Sequence, residues 1–256
     1  FMKPLGFGQL TGIDIQGEVR GVLPSQDWKR RFYRRPEQQK WYAGETISLG
    51  IGQGYNTFTM LQLASATATL ANGGIKHVPH LTLGTQAAGA QEVVPVAKQL
   101  PQDLRYKPQH LAVVRKALAA VTQEGTSARS FLGAKYLSAG KTGTAQAVTI
   151  GQKEKYDAKK MEEHQRDHAL YMAFAPVDNP QIALAVIVEN SGFGAEHAAP
   201  MARRVFDYWL LGEYPSEQDL AAVSQGKAAT PLGKPRAAAE VAWPPKGKEN
   251  ITFMLP

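Results

Sequence analysis

The string Ser138-Ala-Gly-Lys141-Thr142-Gly143-Thr144-Ala145-Gln146 concentrates the residue types that bind an anion along a strand edge. The ammonium supplies positive charge, the hydroxyls supply donors, and glycine lets a ligand come close to the backbone. Lys-Thr-Gly also occurs at ordinary strand ends. Taken alone, the string therefore specifies an extended segment and a place where an anion could sit.

Other residue spacings suggest chemistry and are weaker. Ser-x-x-Lys is the spacing by which a helix brings a nucleophilic serine to a lysine base, and it occurs at Ser138/Lys141 and Ser224/Lys227. In an extended segment residues i and i+3 project from opposite faces, so Lys141 cannot serve Ser138 as base. Ser224 falls in a low-complexity stretch. His164 and His168 stand at i, i+4 beside Glu162, Glu163 and Asp167, a spacing that on a helix would let two imidazoles share an ion. The segment runs into a strand at Ala169 and lacks a glutamate after His164, so a solvated loop is expected and no metal. His77-Val-Pro-His80 contains a proline that prevents regular helix. Lys29, Arg30, Arg31, Arg34, Arg35 and Lys40 alternate with Trp28, Phe32, Tyr33, Trp41 and Tyr42, the footprint of a nucleic-acid surface. No nucleic-acid motif accompanies them. A solvated basic loop over 28–42 is the first expectation, contact with a partner, an anionic membrane or a glycan the second, and nucleic acid the last.

The elements that must position these groups follow from periodicity. Residues 1–56 read as loops with short elements. From Thr57 the positions Leu61, Ala64, Ala68 and Ala71 predict a closely packed helix stopped by Asn72-Gly73-Gly74. A short strand is expected over 78–83, and a second helix opens at Pro108 and ends before Gly125. The period then changes. Ser138–Val148 reads as extended, 151–167 as an exposed charged connection, and Leu170, Met172 and Phe174 alternate before a turn from Pro176 to Pro180. Ile182–Glu189 is wholly apolar up to its last residue, the pattern of a strand buried on both faces. A last helix begins near Pro200 with Met201, Val205, Tyr208 and Trp209 as its core stripe. Consecutive strands joined by short links and flanked by helices predict an α+β fold, an antiparallel sheet covered by helices.

Composition bounds the rest. The 256 residues carry 29 Lys+Arg against 22 Asp+Glu, a net charge of +7, and 43% are hydrophobic, enough for a real core. No cysteine is present, which excludes thiolate nucleophiles, disulfides and Cys-type zinc sites. No apolar run is long enough to span a bilayer. Phe1 is followed by no signal-peptide pattern, so a fragment or cleavage product is expected.

Several strings taken together resemble one family. Phe7-Gly8 with Thr11-Gly-Ile-Asp14, then Gly50-Ile-Gly-Gln-Gly54, then Lys141-Thr-Gly-Thr144-Ala-Gln resemble the C-terminal half of class B penicillin-binding proteins. The Pro24–Trp28 segment, Trp41-Tyr42 and Arg166–Pro176 are similar to the rod-elongation branch. The resemblance covers about 7–212. It implies the serine transpeptidase fold for 1–212 and leaves 213–256 as a low-complexity tail expected to be disordered.

The resemblance also implies an activity, acyl transfer by a peptidoglycan D,D-transpeptidase at the periplasmic face of the bacterial inner membrane. Peptidoglycan stem peptides and β-lactams would be its ligands, the rod-shape elongation complex its partners, with no cofactor and no nucleic acid. Lys141 would supply positive potential and a hydrogen bond to a second-motif serine, and Thr142 and Thr144 would hold the terminal carboxylate. Gly143 would keep the edge open, and the Thr144 N–H would form half of an oxyanion hole. In this family the nucleophilic serine and the second motif precede the Phe-Gly element, so both are expected upstream of Phe1, as is any membrane anchor. The chain alone is expected to be inactive.

Overall fold

The computed structural model describes residues 1–97, 99–148 and 161–241. Eight helices among them are α1 (Gln26–Phe32), α2 (Pro36–Gln39), α3 (Ala43–Gly50), α4 (Met60–Ala71), α5 (Pro108–Gln123), α6 (Ala128–Phe131), α7 (Ala198–Leu211) and α8 (Glu217–Ser224). The strands are β1 (Ile75–Lys76), β2 (Gly84–Thr85), β3 (Val94–Pro95), β4 (Gln102–Asp103), β5 (Ala139–Ala145), β6 (His168–Ala175), β7 (Ile182–Val188), β8 (Glu213–Tyr214) and β9 (Arg236–Ala237). The expected α+β class holds. An antiparallel sheet in the order β5-β6-β7 is packed by α7 on one face and by α4 and α5 on the other.

Helix α4 forms where its spacing predicts. Thr59 caps it by accepting from the Gln62 N–H at 3.1 Å, and the Gln62 side chain accepts from the Thr59 N–H at 3.1 Å. Thr67 and Thr69 are buried because their hydroxyls donate to carbonyls one turn back, Leu63 and Ser65. Central strand β6 is covered on both faces. Ala169, Tyr171 and Ala173 meet Ala198, Ala199, Ala202 and Phe206 of α7, while Phe174 packs with Ala71, Ala119 and Ala139.

Four expectations are corrected. Residues 78–83 form no strand, because Pro79 lacks a donor and the Leu81 and Thr82 N–H groups donate to the Asp14 carboxylate at 2.7 and 2.8 Å. The Thr82 hydroxyl first, and then the Leu81 and Thr82 N–H groups, hold the Asp14 carboxyl far below the usual carboxylate range. Strand β7 is only half-buried, since it lies at the sheet edge, and doubly covered burial belongs to β6.

Helix α7 turns the opposite face inward. Val205, Tyr208 and Trp209 are 43%, 49% and 61% exposed, whereas the alanine stripe and Phe206 are buried together with Arg203, Arg204 and Asp207. Those charges enter the interior because each is paired: Arg203 with Asp207 at 2.8 Å and Arg204 with Asp219 at 2.6 Å. The Tyr136 hydroxyl also donates to Asp207 at 2.8 Å, and burial raises that phenol well above its ordinary pKa.

The fourth correction concerns the tail. Over 213–241 it is folded, with β8 paired to β9 and α8 capped by Ser216. Asp219 anchors it, fully buried beneath the Arg204 guanidinium. The remaining residues of the expected tail, 242–256, and 149–160 of the expected charged connection lie outside the described residues.

Candidate active site at the β5 edge

The Lys-Thr-Gly string occupies β5, where Lys141, Thr142, Gly143 and Thr144 stand opposite Met172, Tyr171, Leu170 and Ala169. Strand β6 takes one edge of β5, and among the described residues no strand takes the other. Lys141 through Ala145 also line a cavity of about 300 Å³, together with Leu170, Tyr171 and Met172 of β6, Val186 of β7, and Gln53 and Leu63. Lys141 is exposed, and its ammonium donates to the Thr142 carbonyl at 2.8 Å. It carries a positive charge onto the rim with no carboxylate to neutralise it among the described residues.

Glycine is required at two points around this strand. A Cβ at Gly140 would lie 2.4 Å from the Tyr171 hydroxyl, and one at Gly194 would lie 2.5 Å from the Gly143 carbonyl oxygen. Gly194 thus lets the turn after β7 press onto the β5–β6 pair. Its place as a strand breaker is legible from sequence, but its contact with the Lys-Thr-Gly string is not.

Gln53 is a second group that sequence reasoning leaves aside. Its side-chain amide donates to the Thr144 carbonyl at 3.3 Å, across 91 positions in sequence. The turn that presents it needs left-handed residues on both sides, and Gly52 (φ 82°) and Gly54 (φ 71°) provide them. Asn56 steadies the turn by donating to the Leu49 and Gln53 carbonyls.

Behind that turn the basic–aromatic segment is helical, which corrects the expected loop. Ser25 accepts from the Trp28 N–H at 3.0 Å and is simply the cap of α1. Lys29 is 3% exposed, ion-paired with Glu45, donating to the Lys40 carbonyl at 2.7 Å and lying 5.4 and 5.5 Å from the Tyr42 and Tyr55 ring centres. Glu45 also accepts from the Tyr42 N–H at 2.8 Å and the Tyr55 hydroxyl at 3.0 Å. Burial pushes the Glu45 carboxyl up, but the hydrogen bonds from Lys29, Tyr42 and Tyr55 outweigh it and hold the pKa below the ordinary glutamate value.

A folded-state pKa below the unfolded one contributes stability that is present above the unfolded value, about 4.3, and lost as pH falls through the folded value. Glu45→Gln should therefore flatten the acid limb of the melting temperature against pH below about pH 4.3. A wild-type slope that the substitution leaves unchanged would show that Glu45 carries none of it.

The serine alternatives fall away on geometry. Ser138 is buried, and its Oγ has no hydrogen-bond partner among the described residues, while Lys141 points its ammonium elsewhere. Ser224 donates to the Ala221 carbonyl and Lys227 to the Gln225 side chain. The histidines are separated too. His164 lies 3.4 Å from Glu162 on the surface, His168 accepts from the Asn190 N–H in β6, and His80 contacts the Thr82 carbonyl.

One further group touches the string. Thr126, in the connection between α5 and α6, places its hydroxyl 2.8 Å from that of Thr142. The next residue, Ser127, is fully buried and bonded to the Tyr171 hydroxyl at 3.0 Å and to the Val121 carbonyl at 3.1 Å. Burial pushes Tyr171 up to about 12, opposed by the Ser127 bond, so the phenol stays protonated at neutral pH. The Gly125-Thr126 pair gives no signal by type or spacing.

An antiparallel sheet between helical layers, with Lys-Thr-Gly on its open edge, defines a class, and the comparisons agree. Residues 1–207 match the penicillin-binding protein transpeptidase domain, and the chain belongs to that family. Within it, the chain is 40% identical over 223 residues to the peptidoglycan D,D-transpeptidase MrdA of Haemophilus influenzae, covering 84% of this chain and 33% of that protein. It is 43% identical over 214 residues to MrdA of Acinetobacter baumannii, covering 82% and 30%. Among solved structures, PBP2 of Pseudomonas aeruginosa superposes with a TM-score of 0.65 at 38% identity, over 82% of this chain and 42% of that one. PBP2 of Helicobacter pylori, solved as a complex with MreC, superposes at 0.65 and 28% identity, covering 82% and 35%. The chain spans about a third of the length of the curated relatives it matches. Among the described residues no helix is long and apolar enough to cross a membrane.

Proposed function

We propose that this chain forms the substrate-edge part of a peptidoglycan D,D-transpeptidase of cell-wall elongation, and that the nucleophilic serine and its lysine base come from sequence outside 1–256. The observation that carries the reading is the open edge of β5, where Lys141, Thr142 and Thr144 border one cavity beside an unneutralised ammonium. The relatives named as D,D-transpeptidases support the reaction class.

In this reading the serine oxygen attacks the carbonyl carbon of the penultimate D-Ala and passes its proton to the base. The amide C–N bond breaks, D-Ala leaves as the amine, and the acyl-enzyme ester is then attacked by the amine of a second stem peptide. Thr142 and Thr144 hydroxyls hold the terminal carboxylate, and Lys141 stabilises it electrostatically while reaching a second-motif serine. The Thr144 N–H supplies half of the oxyanion hole, and Gly143 keeps a side chain off the path. A β-lactam enters the same site because it carries a carboxylate and a reactive amide in comparable positions.

Placement at the periplasmic face of the inner membrane and assembly with elongation-complex proteins belong to the same proposal. They are supported by the names of the relatives and by the Helicobacter pylori structure with MreC. Burial of Lys29 argues against a nucleic-acid surface over 28–42, because the cluster's central cation is already used internally.

Labelling with a fluorescent penicillin tests the reading. The complete protein should be labelled, the label should be competed by unlabelled β-lactam, and the 256-residue chain alone should remain dark. A stoichiometric adduct on the chain alone, or no label on the complete protein, would overturn it.

A further inference from the structure

Resting on the proposed carboxylate role of Thr142, we infer that Thr126 is a positioning residue for that subsite: its hydroxyl donates to Thr142 and so commits the Thr142 proton to the incoming carboxylate. A threonine hydroxyl has one proton and two acceptor positions. Left to itself, the Thr142 hydroxyl could spend that proton on a nearby carbonyl or on water. The two hydroxyls lie 2.8 Å apart and either could donate; with Thr126 as the donor, the Thr142 proton is the one left to point outward. The relay also polarises the outer O–H, which strengthens its bond to an anion.

The rest of the fold fixes Thr126 where this requires. Thr126 is itself exposed at the edge, open to a ligand, while its neighbour Ser127 is fully buried. Ser127 bonds the hydroxyl of Tyr171, and Tyr171 is the register partner of Thr142 on β6. The path Thr142, Tyr171, Ser127, Thr126 and back to Thr142 is therefore closed by a strand pairing, one covalent step and two hydrogen bonds. A small shift of the α5–α6 connection would break the buried Ser127–Tyr171 bond, so the exposed hydroxyl inherits its position from a buried one. Gly140 allows this, since any side chain there would displace the Tyr171 hydroxyl.

Acylation kinetics of the complete protein test the inference. The probes are benzylpenicillin and its methyl ester, which lacks the carboxylate charge. Thr126→Val should lower the acylation efficiency for benzylpenicillin about tenfold, the size of one hydrogen bond to a charged group. The loss should appear in the apparent binding constant with the limiting rate kept, and the methyl ester should be unaffected. Thr126→Ser should restore the wild-type value. Thr142→Val should show the same carboxylate-dependent loss, and adding Thr126→Val to it should cost little more, because the first residue acts through the second. If Thr142→Val is silent, the carboxylate subsite itself is wrong. If Thr142→Val is impaired while Thr126→Val is not, or if Thr126→Val slows both probes equally, the positioning role is overturned and the subsite stands.

Discussion

Replacing Lys141 by alanine in the complete protein is expected to slow acylation by benzylpenicillin about 10²- to 10³-fold, the range for removing one preorganised donor at developing charge. The melting temperature should move by less than about 1 °C, because exposed side chains of this kind contribute little to stability. The split follows from where the side chain is. Among the described residues its ammonium bonds only to the carbonyl of the next residue, and it is open to solvent, so the folded chain loses one exposed hydrogen bond. The cavity, in contrast, loses the one unneutralised cation among the described residues lining it. Acylation rates measured beside melting curves decide the matter. An unchanged rate would reduce the Lys-Thr-Gly string to the end of a strand, and a large fall in both quantities would make Lys141 structural.

The second large effect concerns stability. Asp219→Ala should destabilise the protein by about 3–5 kcal/mol, the cost of leaving one partner of a buried ion pair alone. At about 2–4 °C per kcal/mol for a domain of this size, the melting temperature should fall visibly. Arg204 is buried, donates to both Asp219 oxygens at 2.8 and 2.6 Å, and has as its other partners among the described residues only carbonyls, those of Pro200, Ala228 and Thr230. The Leu232 N–H also loses its acceptor, Asp219 Oδ1 at 3.0 Å. Removing both charges in Arg204→Met/Asp219→Leu should recover much of the loss, since the penalty lies in the unpaired charge. Truncation after Tyr214 should match the single substitution or exceed it. A truncated protein that melts unchanged would return 213–241 to the status of a dispensable tail.

These two residues mark the extent of what was legible in the sequence. The Lys141 string was readable because residue type and spacing agree over one short segment that reads as extended, and the structure places it on the open edge of β5. Helices α4 and α5 were readable from apolar positions at helical spacing, with Pro108 and the Gly73-Gly74 stop marking ends. Asp219 was not, because a buried carboxylate in an alanine-rich stretch declares itself only through its partner 15 residues away. Helix α7 misleads in a related way. It carries two stripes at helical spacing, and the one with large apolar residues faces out while alanines and paired charges face in. Gln53 and Thr126 each reach β5 through a single long-range hydrogen bond, which leaves no period and no composition behind.

The most direct measurement is a crystal structure of the complete protein acylated by a β-lactam. The ligand should lie along the open edge of β5, its carboxylate within hydrogen-bond distance of the Thr142 and Thr144 hydroxyls and its carbonyl oxygen on the Thr144 N–H, with the covalent bond to a serine outside 1–256. A ligand bonded to Ser138 or Ser224, or one seated away from β5, would contradict the account.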